Sequence, residues 1–382
     1  PYFLKIEVDP DGGTNYTISG TSQVLSVPFA FYADKTAASS VLSDNDGDTY
    51  IDPEATPDDD MIRFFNQGTE TYRFTKKHIQ ILDPDLNVLI GTGTGMNLIA
   101  GTGVRNTFIG YQAGYFTNEG KYNTFAGYKA GHHNTTGEMN TFYGDRAGLT
   151  NSEGVRNTFI GYYSGYANST GEHNTFLGYS SGNQNQTGSR NTFLGYLAGH
   201  KTQSGHENVF VGGYAGFENL VNQYNTAIGY NAGSKTVSDG GVFIGHSAGK
   251  NNTSGGANVF VGKDAGFTNS DQPHNTFIGF EAGFKNVAGG NTFIGSQAGY
   301  ENTFGSENVF IGREAGHNNT DQSFNTFIGA GAGYHNTAPG NTFIGSVAGH
   351  NNTSGQENVF IGREAGYNNQ DQPFNTFVGS GA

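Results

Sequence analysis

Cysteine and tryptophan are both missing from these 382 residues, and methionine occurs only three times. Without cysteine the chain has no disulfide framework and no thiol chemistry, although that alone does not choose a compartment. No stretch approaches the roughly 18 consecutive apolar residues that a membrane-spanning helix needs. Cations are scarce: 19 Lys and Arg stand against 33 Asp and Glu, a net charge of -14. Nucleic-acid binding is therefore not expected, because phosphate recognition needs clustered basic residues. Apolar residues make up only 34%, little for an ordinary globular core. The start, Pro1 to Val8, alternates like a strand and lacks the basic opening of a signal peptide. With Ala382 falling inside a repeat, the sequence reads as a piece of a longer protein.

What the chain has instead is glycine, 61 of them, and one phrase. Asn-Thr-Phe-Ile-Gly-x-x-Ala-Gly recurs seventeen times from Asn106 onward at a spacing of 17 or 16 residues. Only Gly241 lacks the leading Asn, and only Ala227 stands where every other copy has Phe. A unit this short cannot enclose its own core, so copies must stack as a solenoid. A longer period lies on top: Asn208, Asn258, Asn308 and Asn358 are 50 residues apart, and the ten residues from Glu307 to Gly316 recur unchanged from Glu357 to Gly366. Such duplication of three-coil blocks lengthens a rod without altering its cross-section, which suits a spacer better than an enzyme.

Taken as a strand, Thr107, Phe108 and Ile109 put Phe on one face and Thr and Ile on the other, and both faces look apolar enough to be covered. The first cover is expected from the return segment of the same coil, around Ala113 and Gly114. One thin coil leaves nothing for the second, so another chain should supply it. Glycines five and nine of the phrase, such as Gly110 and Gly114, mark sharp turns or positive φ. The Asn-, Thr-, Ser- and Gly-rich second half, such as Asn134 to Gly137, reads as an outer turn that absorbs the change between 16 and 17 residues. Stacked coils would place Asn over Asn and Phe over Phe about every 4.8 Å, giving a rod of about 80 Å.

The phrase resembles the Asn-Ser-Val-Ala-Ile-Gly repeat of YadA-like heads of trimeric autotransporter adhesins, over 106–382. That resemblance implies a left-handed parallel β-roll, three chains side by side, and a bacterial surface head that attaches to host or neighbouring material. Gly20 to Ala33 is similar to a segment of secreted tail-fibre-like proteins of Bacteroidetes-type bacteria, where it precedes such repeats, and the elements Asp46 to Thr49 and Asp60 to Phe64 fit the same pattern.

The expected fold is thus all-β: a trimeric parallel β-roll of about 17 coils after a small β-rich region with one short helix. The organisation expected is a partial domain over 1–40, with two strands around Asp11 to Gly13 and a helix from Ser26 to Ser40. Short strands between acidic turns follow over 41–86, then two abbreviated coils beginning at Asn87 and Asn97 form a cap over 87–105, and the roll occupies 106–382. An extracellular or cell-surface location follows from the resemblance, with glycans, matrix proteins or cell-surface proteins as partners beside the homotrimer.

Candidate sites are few. Asp44, Asp46, Asp48 and Asp52 alternate as in a calcium loop, but Gly47 is fourth and Ala55 twelfth, so calcium stands as a candidate beside a plain Asp-Gly turn. Gly91 to Gly103 lack the spacing and the following helix of a dinucleotide fingerprint. No other cofactor is expected, and no recurring Ser, His and Asp grouping suggests catalysis. Rings recur at the tenth position, with Tyr115, Tyr166, Phe217, Phe267, Tyr300, Tyr334 and Tyr367, and with His132, His200, His317 and His350. Packing over the next coil competes there with stacking on sugars. The sixth position carries a stripe, Tyr111, Tyr128, Tyr162, Tyr179, Tyr196 and Tyr230, expected to be where any ligand is met.

The leading function is a surface fibre, stalk or adhesive head. A receptor-binding tail fibre of a phage-like or contractile injection system is an alternative of the same architecture. An ice-binding solenoid is a third, disfavoured because its flat Thr array must face solvent while the regular Thr here is placed beside Phe and Ile inside the strand.

Overall fold

A computed structural model describes residues 3–8, 18–23, 42–43, 49–52, 61–75 and 78–382. The chain divides into two units, 1–82 and 83–382. Among the described residues there is no helix. The segment 26–40, where one was expected, lies outside them, as do the Asp11 to Gly13 turn and Asp44, Asp46 and Asp48.

In the first unit, β1 (Phe3–Val8) and β2 (Ile18–Gln23) pair antiparallel. A separate antiparallel sheet runs β3 (Leu42–Ser43), β4 (Tyr50–Asp52), β5 (Ile62–Asn66), β6 (Thr69–Phe74) and β7 (Ile79–Ile81) in sequential order. Gln67 and Gly68, at φ 49° and 70°, form the tight two-residue turn between β5 and β6 that matches the twist of a hairpin. Tyr50 stacks on Phe65 at 4.2 Å, and Arg73 holds Glu70 through two hydrogen bonds of 2.6 and 2.7 Å. That guanidinium keeps the Glu70 carboxyl below its ordinary pKa.

The second unit is a parallel β-solenoid. It starts at β8 (Val88–Ile90) and continues with one three-residue strand per coil, from β9 (Thr107–Ile109) to β25 (Thr376–Val378). Each strand pairs in register with the next, Thr107 opposite Thr124 and Phe108 opposite Phe125, and so on to Phe360 opposite Phe377. The return segments are hydrogen-bonded from coil to coil as well, as in Gly114 N to Ala130 O at 2.9 Å. β8 pairs directly with β9. The stretch beginning at Asn97, expected as a second short coil, is therefore the return half of the Asn87 coil. Leu98 packs there against the core, and Asn97 donates to Tyr115 O.

Up to the last coil, Phe at the third position (Ala227 in one coil) and Ala at the eighth (Ser164 and Ser181 in two) are fully buried and make the core. The rings stack in a column that is interrupted at Ala227, Phe108 to Phe125 at 4.7 Å and 2° and most later steps at 4.7 to 4.9 Å. Burying each ring contributes roughly 1.5–3 kcal/mol, and the near-parallel stack sets the coil rise. The ninth-position Gly is required by that column: a Cβ on Gly131 would lie 2.5 Å from Phe125 Cε2. The fifth-position Gly is required by the neighbouring backbone: at φ 129°, a Cβ on Gly110 would lie 2.5 Å from the Gly127 carbonyl oxygen.

Two expectations change. The second half of the coil is more than an outer turn, because its Asn is fully buried: Asn151 Nδ2 donates to Asn134 Oδ1 at 2.7 Å and to Gly154 O at 3.0 Å. This is a second amide ladder, beside the expected one in which Asn123 N donates to Asn106 Oδ1 at 2.9 Å. In both, a planar amide carries a donor and an acceptor and so satisfies groups in two coils at once. The other change concerns the strand. Only its Phe face is covered within the chain. Thr and Ile point outward, Ile109 being 41% exposed and Leu177 46%. The regular Thr therefore faces solvent, and that ground for setting aside an ice-binding face is removed.

Positive φ also extends beyond glycine. The seventh position (Gln112 at 52°, Val347 at 51°) and the residue just before the leading Asn (Arg105 at 59°, Phe324 at 62°) are left-handed in coil after coil. Ladder hydrogen bonds on both sides hold these residues in a conformation that costs about 1–2 kcal/mol for an L-residue.

Candidate ligand surface

Because the coils are in register, equivalent side chains form rows at the coil rise. At the sixth position Tyr111 stacks on Tyr128 at 5.4 Å, Tyr162 on Tyr179 at 5.3 Å, and Tyr179 on Tyr196 at 5.3 Å. The rings are about half exposed, with Tyr111 at 46% and Tyr196 at 50%. What they expose is edges and hydroxyls, since the faces cover one another. The row is also joined by residues outside the expected stripe. Tyr214, from the seventh position, sets its ring edge-on between Tyr196 and Tyr230 where the sixth position is Gly213. Where the sixth position is Asp145, the Arg146 guanidinium lies 5.0 Å from the Tyr128 centroid and 5.4 Å from that of Tyr163, held by Asp145 at 3.0 Å. Both interruptions are thus filled.

The tenth-position rings stack in the same way. Phe267, Phe284, Tyr300, His317, Tyr334, His350 and Tyr367 form one column with steps of 4.9 to 5.3 Å. Nearer the start, His132 stacks on Tyr115 at 5.4 Å with Phe116 and His133 edge-on. Burial, with smaller contributions from His133 and Lys129, lowers its pKa to about 4. Burial likewise lowers that of His335, helped by His350 and His317. Of the expected rings, Tyr166 stacks on Tyr163 and Phe217 on His200. The tenth-position row is packing between coils, and its column leaves no interior ring face for a sugar.

Asp52 sits in β4 opposite Arg63. Among the described residues no cluster of three or more His, Cys, Asp or Glu could hold a metal, and no helix is long and apolar enough to cross a membrane. No protein-family model, curated protein or solved structure matches the chain.

Proposed function

We propose that this chain is the shaft of an extracellular attachment fibre, in which three copies, each wound left-handed as the repeat resemblance implies, pack with their outward strand faces together. The observation that supports this is the uncovered apolar row at the fourth phrase position: Ile109, Leu177, Ile228, Ile278, Ile328, Ile344 and Ile361 are between 36% and 46% exposed. Such a row on one side of a long solenoid is an association surface rather than a solvent surface. With the flat Phe-filled core, it gives a stiff rod that presents side-chain rows along its length, and nothing in it calls for chemistry. Light scattering on the purified chain tests the assembly: a particle of three times 40.6 kDa supports it, and a lone compact chain removes it. Arrays of immobilised glycans and matrix proteins test attachment.

The outward Thr row favours one competing reading. Thr107, Thr124, Thr141 and their successors are in strict register, as on an ice-binding face. Val replaces Thr at Val209, Val242, Val259, Val309 and Val359, which leaves the hydroxyl array broken. Thermal hysteresis in solution would support the ice reading against the fibre, because sister chains and ice compete for the same face.

A further inference from the structure

Along the outward face of the strands from Asn106 onward, the second phrase position is always Thr or Val, and the fourth is Ile, Leu or Val in every coil but two. The two exceptions lie on adjacent coils. Ala126 is the smallest residue of the fourth row, and Tyr143, one coil later, is its only ring. Tyr143 stands clear of its neighbours, 64% exposed where the aliphatic members between the terminal coils stay at or below 46%. Thr124 and Thr141, beside these two in the second row, are exposed as well, whereas Thr107 and Thr158 on the flanking coils are half-buried. The rest of the face cannot tell one coil from the next, since Thr and Val are close in shape and neither row holds a charged residue. Sister chains packed along it could slip by one coil, about 4.8 Å, and forfeit only one coil of contact in seventeen. Uniform interfaces of this kind slide unless something breaks their repetition.

We infer that Ala126 and Tyr143 set the register between sister chains, each Tyr143 ring dropping one coil to lie against Ala126 of the neighbouring copy. Ring and methyl together then fill two layers that branched aliphatics fill elsewhere, the pairing of large with small that interdigitated layers need. A chain slipped by one coil sets its Tyr143 against Ile109 or Tyr143 of its neighbour, and Ala126 then faces no ring. Overpacking at one layer and a cavity at the other both oppose the slip. The occupant of this face is a second copy of the chain. Its two outward rows offer on the order of 1,000 Å² along the shaft, against roughly 800 Å² per partner in a stable complex. The inference rests on the three-chain reading proposed above, and adds to it the residues that align the chains.

The chain has no cysteine, so single cysteines placed on the fourth row report which coils meet. Full chains carrying Ile278→Cys are co-expressed with full chains carrying Ile311→Cys, oxidised, and their disulfide-linked pairs are sorted by mass spectrometry. In register the unlike positions are two coils, about 9–10 Å, apart along the shaft, beyond the roughly 7 Å between Cα atoms that a disulfide spans. Like should therefore join like. The same pair of chains carrying Ala126→Ile and Tyr143→Ile, which makes the row uniform, should keep the three-chain mass while unlike pairs rise at least tenfold. A role of these residues confined to packing within one chain would leave that ratio unchanged. Unlike pairs that stay rare in the uniform-row variant overturn the inference, as do unlike pairs already abundant in the parent or the absence of any cross-link. A single-chain mass by light scattering is a separate outcome: it gives this face to some other partner and removes the three-chain reading together with the inference.

Discussion

Phe243 occupies the space that a side chain on Gly241 would need: a Cβ there would lie 2.5 Å from Phe243 Cε2. Gly241 is where the phrase lacks its Asn, and the coil before it is where Ala227 replaces Phe. With no ring beneath it, Phe243 tilts out of the column, 51° and 5.6 Å from Phe260, and leans toward Gly233 of the Ala227 coil, where a Cβ would lie 2.7 Å from its Cδ2. The two departures from the repeat are one defect. Asn225 Oδ1 still accepts from Gly241 N at 2.8 Å, but Gly241 has no side-chain oxygen to offer the next coil.

Ala227→Phe alone should therefore overpack against the leaning ring, and Gly241→Asn alone should collide with it, each destabilising by about 1–3 kcal/mol. Together they should restore the parallel column and recover most of that loss. A double-mutant cycle on urea midpoints should give a favourable coupling of at least about 1 kcal/mol. Simple additivity would show that the two substitutions are unrelated.

The second amide ladder stops where Thr202 stands in place of Asn. Asn185 Oδ1 is left without a donor, and Asn219, isolated between Thr202 and Thr236, has both its side-chain polar atoms buried and unpaired within the described residues. By contrast Asn168 donates to Asn151 Oδ1 at 2.7 Å and accepts from Asn185 Nδ2 at 2.6 Å. Thr202→Asn should accordingly raise stability by about 1–2 kcal/mol, since a buried unsatisfied group carries roughly that penalty. Asn168→Thr should lower it by a similar or larger amount. Thermal melting of both variants checks the sign, which a generic preference for either residue type cannot reproduce.

Much of the solenoid was legible because one spacing recurs. The Asn-Thr-Phe-Ile-Gly period located each strand, and the invariance of Gly110 and its equivalents predicted a position closed to side chains. The outward orientation of Thr and Ile was not legible: alternation says that Phe and Ile part company, not which side the return segment takes. Asn97-Leu98-Ile99 copies the phrase's composition but not its place in the ladder, since β8 pairs directly with β9. The rings recur at the sixth and tenth positions of the phrase, yet their mutual stacking depends on coil register, which the letters at Tyr111 and Tyr128 do not state.

Left-handed backbone at the seventh position gives a prediction in the stabilising direction. Val347 is β-branched and holds φ 51°, while the same position is glycine at Gly331 and Gly381. Val347→Gly should be neutral or stabilising by up to about 1 kcal/mol, against the usual penalty for introducing glycine. Gly178→Ala, at φ 134° with a Cβ 2.5 Å from Gly195 O, should instead disrupt its coil by several kcal/mol. Hydrogen exchange should then show loss of protection confined to the coils around Gly178.

The depressed pKa of His132 sets a pH dependence whose sign is fixed. In the unfolded chain this imidazole takes up a proton near pH 6.5, whereas in the folded chain it stays neutral down to about 4. Its stabilisation is therefore fully present above about pH 6.5 and is lost progressively as pH falls toward 4, because the unfolded state binds the extra proton. His132→Phe should keep the stack on Tyr115 while removing this titration. The urea midpoint of the variant should fall less than that of the parent between pH 7 and pH 4.5, and the parent's His132 ring signals should titrate near pH 4 by NMR. Equal slopes in the two proteins would place the acid sensitivity elsewhere, first at Glu70, whose contribution is present above the ordinary carboxylate range and lost as pH falls through its lowered folded value.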